Sequence, residues 1–269
     1  MKGAAAMIKS LKFAGLLIFA LLLSPALAHA AGQDTSGLTL DARVGLRAYT
    51  ALVETHLADI LDGAQSLAAT GDIQSGDWSR MKGPLAVYAK GISSAAAVWF
   101  VRPDGSYYTV EKGLTDRTVK DRDYFPRLMA GGNVEGILVV SRSTGRKSVV
   151  VATPVSKDGR VIGALGVSVN VEKLAGWIDA TLNLPPNYVF YALDAQGRTA
   201  LHRESALIFD IPARQGSETL SVAVTTMLSR SQGAVRYRFR DHARLVIFQR
   251  SKPTGWVFVI GGPDAAVAP

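Results

Sequence analysis

The chain has 269 residues, a formal net charge of +8 and no cysteine. Disulfide staples, thiolate metal sites and cysteine nucleophiles are therefore excluded, and the positive balance invites anionic ligands or surfaces. With 48% hydrophobic residues, there is enough apolar side chain for one large domain or two small ones with proper cores.

In chain order, residues 1–30 carry Lys2, Lys9 and Lys12, an apolar stretch from Phe13 to Leu23, then Pro25 and the small-residue site Ala28-His29-Ala30. This is the pattern of a secretory signal peptide cleaved near Ala30. The apolar run is shorter than the roughly 20 residues a spanning helix needs, and Pro25 breaks it. The expectation is a periplasmic or secreted, soluble protein, its charge lowered from +8 to +5 by loss of the three lysines. Nucleic acid is a poor partner for an exported chain without a basic helix.

Over residues 41–70 the apolar side chains Leu46, Tyr49, Val53, Leu57, Ile60, Ala64 and Leu67 recur at steps of three and four, which predicts one amphipathic helix of about 45 Å. Gly71 and Asp72 end it, and a second helix from Trp78 to Lys90 follows, interrupted at Gly83-Pro84. Beyond Gly91 the period changes. Residues 96–101 and 106–110 read as a strand hairpin turning at Arg102-Pro103-Asp104-Gly105.

Next comes Asp121-Arg122-Asp123-Tyr124-Phe125, opening a short helical segment that reaches Met129 and is closed by Gly131-Gly132. Arg122 offers a planar fork of donors to a carboxylate, while Tyr124 and Phe125 wall such a site off from water. The plainer alternative is that Asp121 or Asp123 caps a helix of core aromatics, with Arg122 merely solvated. Strands are predicted at 136–141, 148–156 and 160–169, the last two joined by Lys157-Asp158-Gly159. Residues 173–184 form a bridge that ends at Pro185-Pro186.

The same order of elements then recurs. A hairpin at 188–193 and 198–202 turns at Asp194-Ala195-Gln196-Gly197, a helix covers 218–230, and three strands close the chain at 234–239, 244–250 and 255–260. Such recurrence is what an internal structural repeat leaves behind.

The run Asp121 to Phe125, the strand around Val149-Val150-Val151-Ala152-Thr153-Pro154-Val155 and the segment 159–169 together resemble the double Cache family of extracytoplasmic sensor domains. The likeness covers roughly residues 39–262. It implies an α+β fold, a long N-terminal helix followed by two PAS-like modules with antiparallel sheets. The implied divisions are the helix at 31–71, a first, ligand-binding module at 72–184, a second, smaller module at 185–262, and a tail at 263–269. In the family the first module holds the ligand. Carried over residue by residue, this implies Arg122, Tyr124 and Phe125 for a carboxylate, with Tyr108, Ser141 and Thr153 as lining.

Amino-acid-sensing members carry an aspartate on the last strand of that module, where Ser168 stands here. A hydroxyl cannot neutralise an ammonium, and an unpaired buried charge is expensive. An α-amino acid is thus disfavoured and a simple carboxylate or hydroxy acid favoured. Family members also hang between two membrane spans that lead to a cytoplasmic output domain; no second span or output domain is read in this sequence. The implied partners are a small carboxylate and a membrane-bound signalling protein, with no cofactor.

Enzymatic readings find little support. There is no Gly-x-Ser-x-Gly elbow and no His-Glu-x-x-His, and Gly145-Arg146-Lys147-Ser148 lacks the glycine–lysine adjacency of a phosphate loop. His56, His202 and His242 are scattered. Arg236, Arg238 and Arg240 alternate with Tyr237 and Phe239, giving a solvated edge-strand face or a docking patch for an acidic partner. The competing functional reading is an envelope interaction scaffold whose modules have lost ligand binding.

Overall fold

The computed structural model of the chain describes residues 41–267; the expected signal peptide lies outside the described residues. Asp41 accepts a hydrogen bond from the Arg43 amide and so starts α1 (Ala42–Ala68), 27 residues long. A single turn, α2 (Gly71–Gln74), leads to α3 (Trp78–Lys90), which Asp77 caps through the Ser79 amide. Pro84 does not interrupt α3. The residue whose carbonyl it deprives of a partner, Arg80, is exposed, which leaves that carbonyl to solvent instead of burying it unpaired.

The first sheet is antiparallel and contains β1 (Ala95–Val101), β2 (Ser106–Thr109), β3 (Gly113–Thr118), β4 (Val134–Val140), β5 (Lys147–Lys157) and β6 (Arg160–Asn170), in the spatial order β3-β2-β1-β6-β5-β4. A five-residue helix, α4 (Phe125–Met129), joins β3 to β4. The bridge predicted at 173–184 is mostly a helix, α5 (Val171–Leu182). Asn170 caps it by accepting the Glu172 and Lys173 amides, and it buries Val171, Leu174, Ala175 and Ile178.

The second sheet contains β7 (Val189–Leu193), β8 (Thr199–His202), β9 (Gln232–Phe239), β10 (His242–Arg250) and β11 (Val257–Pro263), in the order β8-β7-β11-β10-β9, with α6 (Glu218–Ser229) between β8 and β9. Apart from β3, the two sheets have the same strand order. Strand β3 escaped the sequence reading because it is polar and mostly exposed, leaving no apolar alternation to detect. His242, which falls between the predicted strands 234–239 and 244–250, opens β10. The reversal falls on Arg240 and Asp241, both at positive φ, as a two-residue hairpin of the primed type requires.

Among the described residues, three apolar clusters hold the structure. The largest runs beneath α1, whose side chains Leu46, Tyr49, Val53, Leu57, Ile60 and Ala64 meet Val149, Val151 and Val155 of β5 as well as Phe190, Phe258 and Ile260 of the second sheet. Tyr49 sits between Phe190 and Phe258, with ring centroids 5.1 and 5.0 Å away. Burying each of Val53 and Leu57 completely stabilises the fold by roughly 1.5–3 kcal/mol. The opposite face of the first sheet is covered by Phe125 and Leu128 of α4, that of the second by Leu220, Ala223, Val224 and Met227 of α6.

The sheets also meet directly. The Trp256 indole donates to the Gly136 carbonyl at 2.8 Å, and Gly136, at a bulge in β4, has φ +90°. A Cβ there would lie 2.8 Å from the Thr254 carbonyl oxygen. Gly136→Ala is expected to cost clearly more than about 1 kcal/mol, because it adds a steric clash to left-handed strain. Gly131→Ala, at φ +87° with open space around it, carries the strain alone. Urea unfolding of the two variants should show the larger loss at Gly136.

Candidate functional site

The outer face of the first sheet is shaped by one missing side chain. Trp99 of β1 pairs in register with Gly166 of β6, and a Cβ on Gly166 would sit 2.2 Å from the indole ring. The glycine lets Trp99 lie flat across β6, where its Nε1 donates to the Ser168 hydroxyl at 3.2 Å. Tyr124, at the start of α4, stacks on the same indole with centroids 6.1 Å apart.

Around this aromatic pair, Tyr107 of β2, Ser141 after β4, Arg122 before α4, and Arg142 of the β4–β5 turn enclose a cavity of about 20 Å³, room for a water or two. The guanidinium of Arg122 donates from Nη2 to the Val140 carbonyl at 2.8 Å; its other donors have no partner among the described residues. Arg142 forms a two-pronged bond to Asp121, at 2.6 and 2.7 Å, and also donates to the Thr118 carbonyl. That pairing holds the Asp121 carboxyl down at about 2. Burial pushes the Tyr124 phenol up to about 12, so it remains a donor at neutral pH.

The Tyr107 hydroxyl is buried with no hydrogen-bond partner among the described residues. Among the described residues no carboxylate lines the cavity. The described residues contain no group of three His, Cys, Asp or Glu that could hold a metal ion. The arrangement is a set of donors around a cation, which suits an anion and supplies no nucleophile–base pair.

Arg122, Tyr124, Ser141 and Ser168 therefore share one cavity, and the other three residues expected there lie elsewhere. Tyr108 follows Tyr107 on β2 and so points to the opposite face, where it stacks on Trp78 at 4.7 Å and carries the Arg102 guanidinium over its ring at 4.7 Å. Thr153 has the parity of Val151 and Val155, which pack beneath α1, and its hydroxyl donates to Asn133 Oδ1 at 2.9 Å. Phe125 is a core residue of α4 and does not line the cavity. The sequence reading missed Trp99, Tyr107 and Arg142. Strand parity could have found Tyr107, since Val101 and Tyr107 are cross-strand partners and share a face with Trp99.

No protein-family profile matches the chain, and a search of curated proteins found no match. Solved structures do match. The sensory domain of the Campylobacter jejuni chemoreceptor Tlp3 with isoleucine bound is 15% identical, with a TM-score of 0.62 over 82% of this chain and 91% of that one. A protein titled methyl-accepting chemotaxis protein X is 15% identical, with a TM-score of 0.67 over 83% of this chain and 96% of that one. The ligand-binding domain of the Pseudomonas fluorescens chemoreceptor CtaA in complex with L-isoleucine is 14% identical, with a TM-score of 0.62 over 84% and 90%. The chain has the fold of the double Cache sensory domains: α+β, a long N-terminal helix and two antiparallel sheets. No helix among the described residues is long and apolar enough to cross a membrane.

The ion pair at the cavity mouth has a pH signature. Because the folded carboxyl of Asp121 titrates below its ordinary value of 3.8, the pair is complete above pH 4 or so and is lost as pH falls through about 2. Carbonyl-detected NMR should place the Asp121 midpoint near the lower value. In Arg142→Gln the midpoint should move back toward 3.8.

Proposed function

We propose that this chain is an exported, ligand-binding sensory domain whose first module takes a small organic carboxylate at Arg122. One observation carries this reading: the cavity gathers two guanidinium groups and several hydroxyls, contains no carboxylate, and holds a buried Tyr107 hydroxyl without a partner. A hydroxyl left unsatisfied in the interior costs about 1–3 kcal/mol, which a bound acceptor removes. Arg122 spends one of its five N–H groups on Val140 and keeps the rest for the ligand.

The two receptors above are described with isoleucine, and the ligand-binding domain of Mlp24 with asparagine. Here the lining offers an ammonium nothing to pair with, and Ser168 is already engaged by Trp99. A carboxylate without the amine is the better fit. The cavity as it stands has room for a water or two, so even acetate or lactate requires it to widen, by parting of the Asp121–Arg142 pair. Export rests on the residue pattern of positions 1–30. Transfer of the signal to a membrane-bound protein rests on the sensory fold.

The narrowness of the cavity is also what a non-binding scaffold would show, and titration separates the two readings. Calorimetry with acetate, lactate and alanine should give saturable binding of the first two and weaker binding of the amino acid. Arg122→Ala should lower affinity by roughly 30-fold to several thousandfold, the worth of one partner in a charged hydrogen-bonded pair. Arg122→Lys keeps the charge without the fork and should fall between. Neither change should move the unfolding midpoint much, since Arg122 is half-buried and outside the apolar clusters. If no carboxylate binds, the scaffold reading stands.

A further inference from the structure

With about 20 Å³ of room, the first-module cavity as it stands is closed to an organic acid, yet its wall includes a buried hydroxyl with nothing to bond. Such a space suits one or two waters, or one compact ion. The chemistry of the walls decides between them.

Those walls supply donors. Tyr107 is only 3% exposed, and its hydroxyl has no partner among the described residues. Arg122 has committed a single N–H, to the Val140 carbonyl. Tyr124 keeps its proton at neutral pH, because burial pushes the phenol up to about 12. The acceptors at hand are already engaged: the Ser168 hydroxyl takes the Trp99 indole N–H, and the Val140 carbonyl takes Arg122. A water placed here must give two protons as well as receive them, whereas an anion only receives. Charge points the same way. Asp121 answers the charge of Arg142 with both oxygens, while Arg122, half-buried, has no carboxylate partner among the described residues. A cation withdrawn from water is costly until an anion pairs with it.

The outer face of the second sheet shows that the fold does not require such charge. A cavity of about 30 Å³ lies there between Tyr191, Thr199, His202, Leu207 and Tyr237, and among the described residues no Asp, Glu, Lys or Arg lines it. Its Tyr191 and Tyr237 hydroxyls bond each other, so nothing in it calls for an ion.

We propose that the closed first-module cavity binds one halide ion, chloride in ordinary solution, between Tyr107, Tyr124 and Arg122, and that an entering carboxylate displaces it as the Asp121–Arg142 pair parts. A chloride ion is only slightly larger than a water molecule, and its single charge matches the one left unanswered. The halide site rests on the reading of this cavity as an anion site, and it does not require that the signalling ligand be a carboxylate.

The chain without residues 1–30 would be prepared in methanesulfonate salts, whose monovalent anion is too bulky for the cavity, with ionic strength held constant. Exchange into chloride or bromide should shift the Trp99 indole N–H resonance saturably. Crystals grown in bromide should give an anomalous-scattering peak within hydrogen-bond distance of the Tyr107 hydroxyl. Tyr107→Phe, which removes one oxygen, should weaken bromide about tenfold or more. Arg122→Gln, outside the apolar clusters, should abolish the saturable shift and serves as the second variant if Tyr107→Phe does not fold. No saturable shift, a bromide peak only at other places, or undiminished affinity in every variant that folds would each overturn the proposal. Acetate titrations with and without chloride separate the two ligands. An apparent acetate affinity that falls as chloride rises supports both; a halide shift without acetate binding keeps the halide site and removes the carboxylate; acetate binding without a halide shift overturns the halide site alone.

Discussion

One apolar stripe on α1 must be buried by two sheets at once, and the rest of the architecture depends on it. The helix is 27 residues long, about 40 Å, while a strand of four to eleven residues covers less than its full length. Each sheet therefore takes a share: the Tyr49 end packs on Phe190, Phe258 and Ile260, and the remainder on the valines of β5. Gly45 allows the close approach, since a Cβ there would lie 3.1 Å from the Ile260 Cδ1 atom. With both inner faces committed to the helix, the outer faces are where short helices and loops must do the covering. Both cavities lie on those outer faces.

Charge at the first cavity follows from which loops cover it. Arg122 arrives from the segment before α4 and Arg142 from the β4–β5 turn, and two cations converging on a half-buried site repel one another. Asp121 offsets this by taking both prongs of Arg142, which leaves one positive charge facing inward. On the proposed reading, that residual charge matches a single carboxylate. On the same reading, parting of the Asp121–Arg142 pair sets what size of acid enters.

Period and punctuation in the sequence were enough to place α1, α3, α6 and ten of the eleven strands, because each has an apolar alternation or stripe bounded by Gly, Pro or Asp. Strand β3 has none. Helix α5 did carry the signal, Asn170 as cap and Leu174 and Ile178 on one face, but so short a stripe after a strand reads equally well as a connector. That Arg122, Tyr124, Ser141 and Ser168 gather around one cavity was legible through a resemblance of motif. Tyr108, expected as lining, lies on the other face from the cavity, since successive residues of a strand point to opposite faces. Arg142 was out of reach: it meets Asp121 across 21 residues, and no local pattern announces a contact made by the folding of a turn over a sheet.

The two modules share a strand order and differ in how their outer faces are closed. In the first, α4 has only five residues and buries just Phe125 and Leu128, so Trp99 and Tyr107 are left to polar loops, and arginine side chains fill the gap. In the second, α6 has twelve residues and lays four apolar side chains over the sheet, which confines the gap to the β8 end. There the covering segment supplies Leu207 and Pro212 instead of charges. Length of the covering helix thus determines how much of the face is left to loops, and the loops determine the sign of charge within. A fold duplicated along one helix can in this way hold two cavities of the same placement and opposite chemistry, one cationic and one neutral, without any change in its strands.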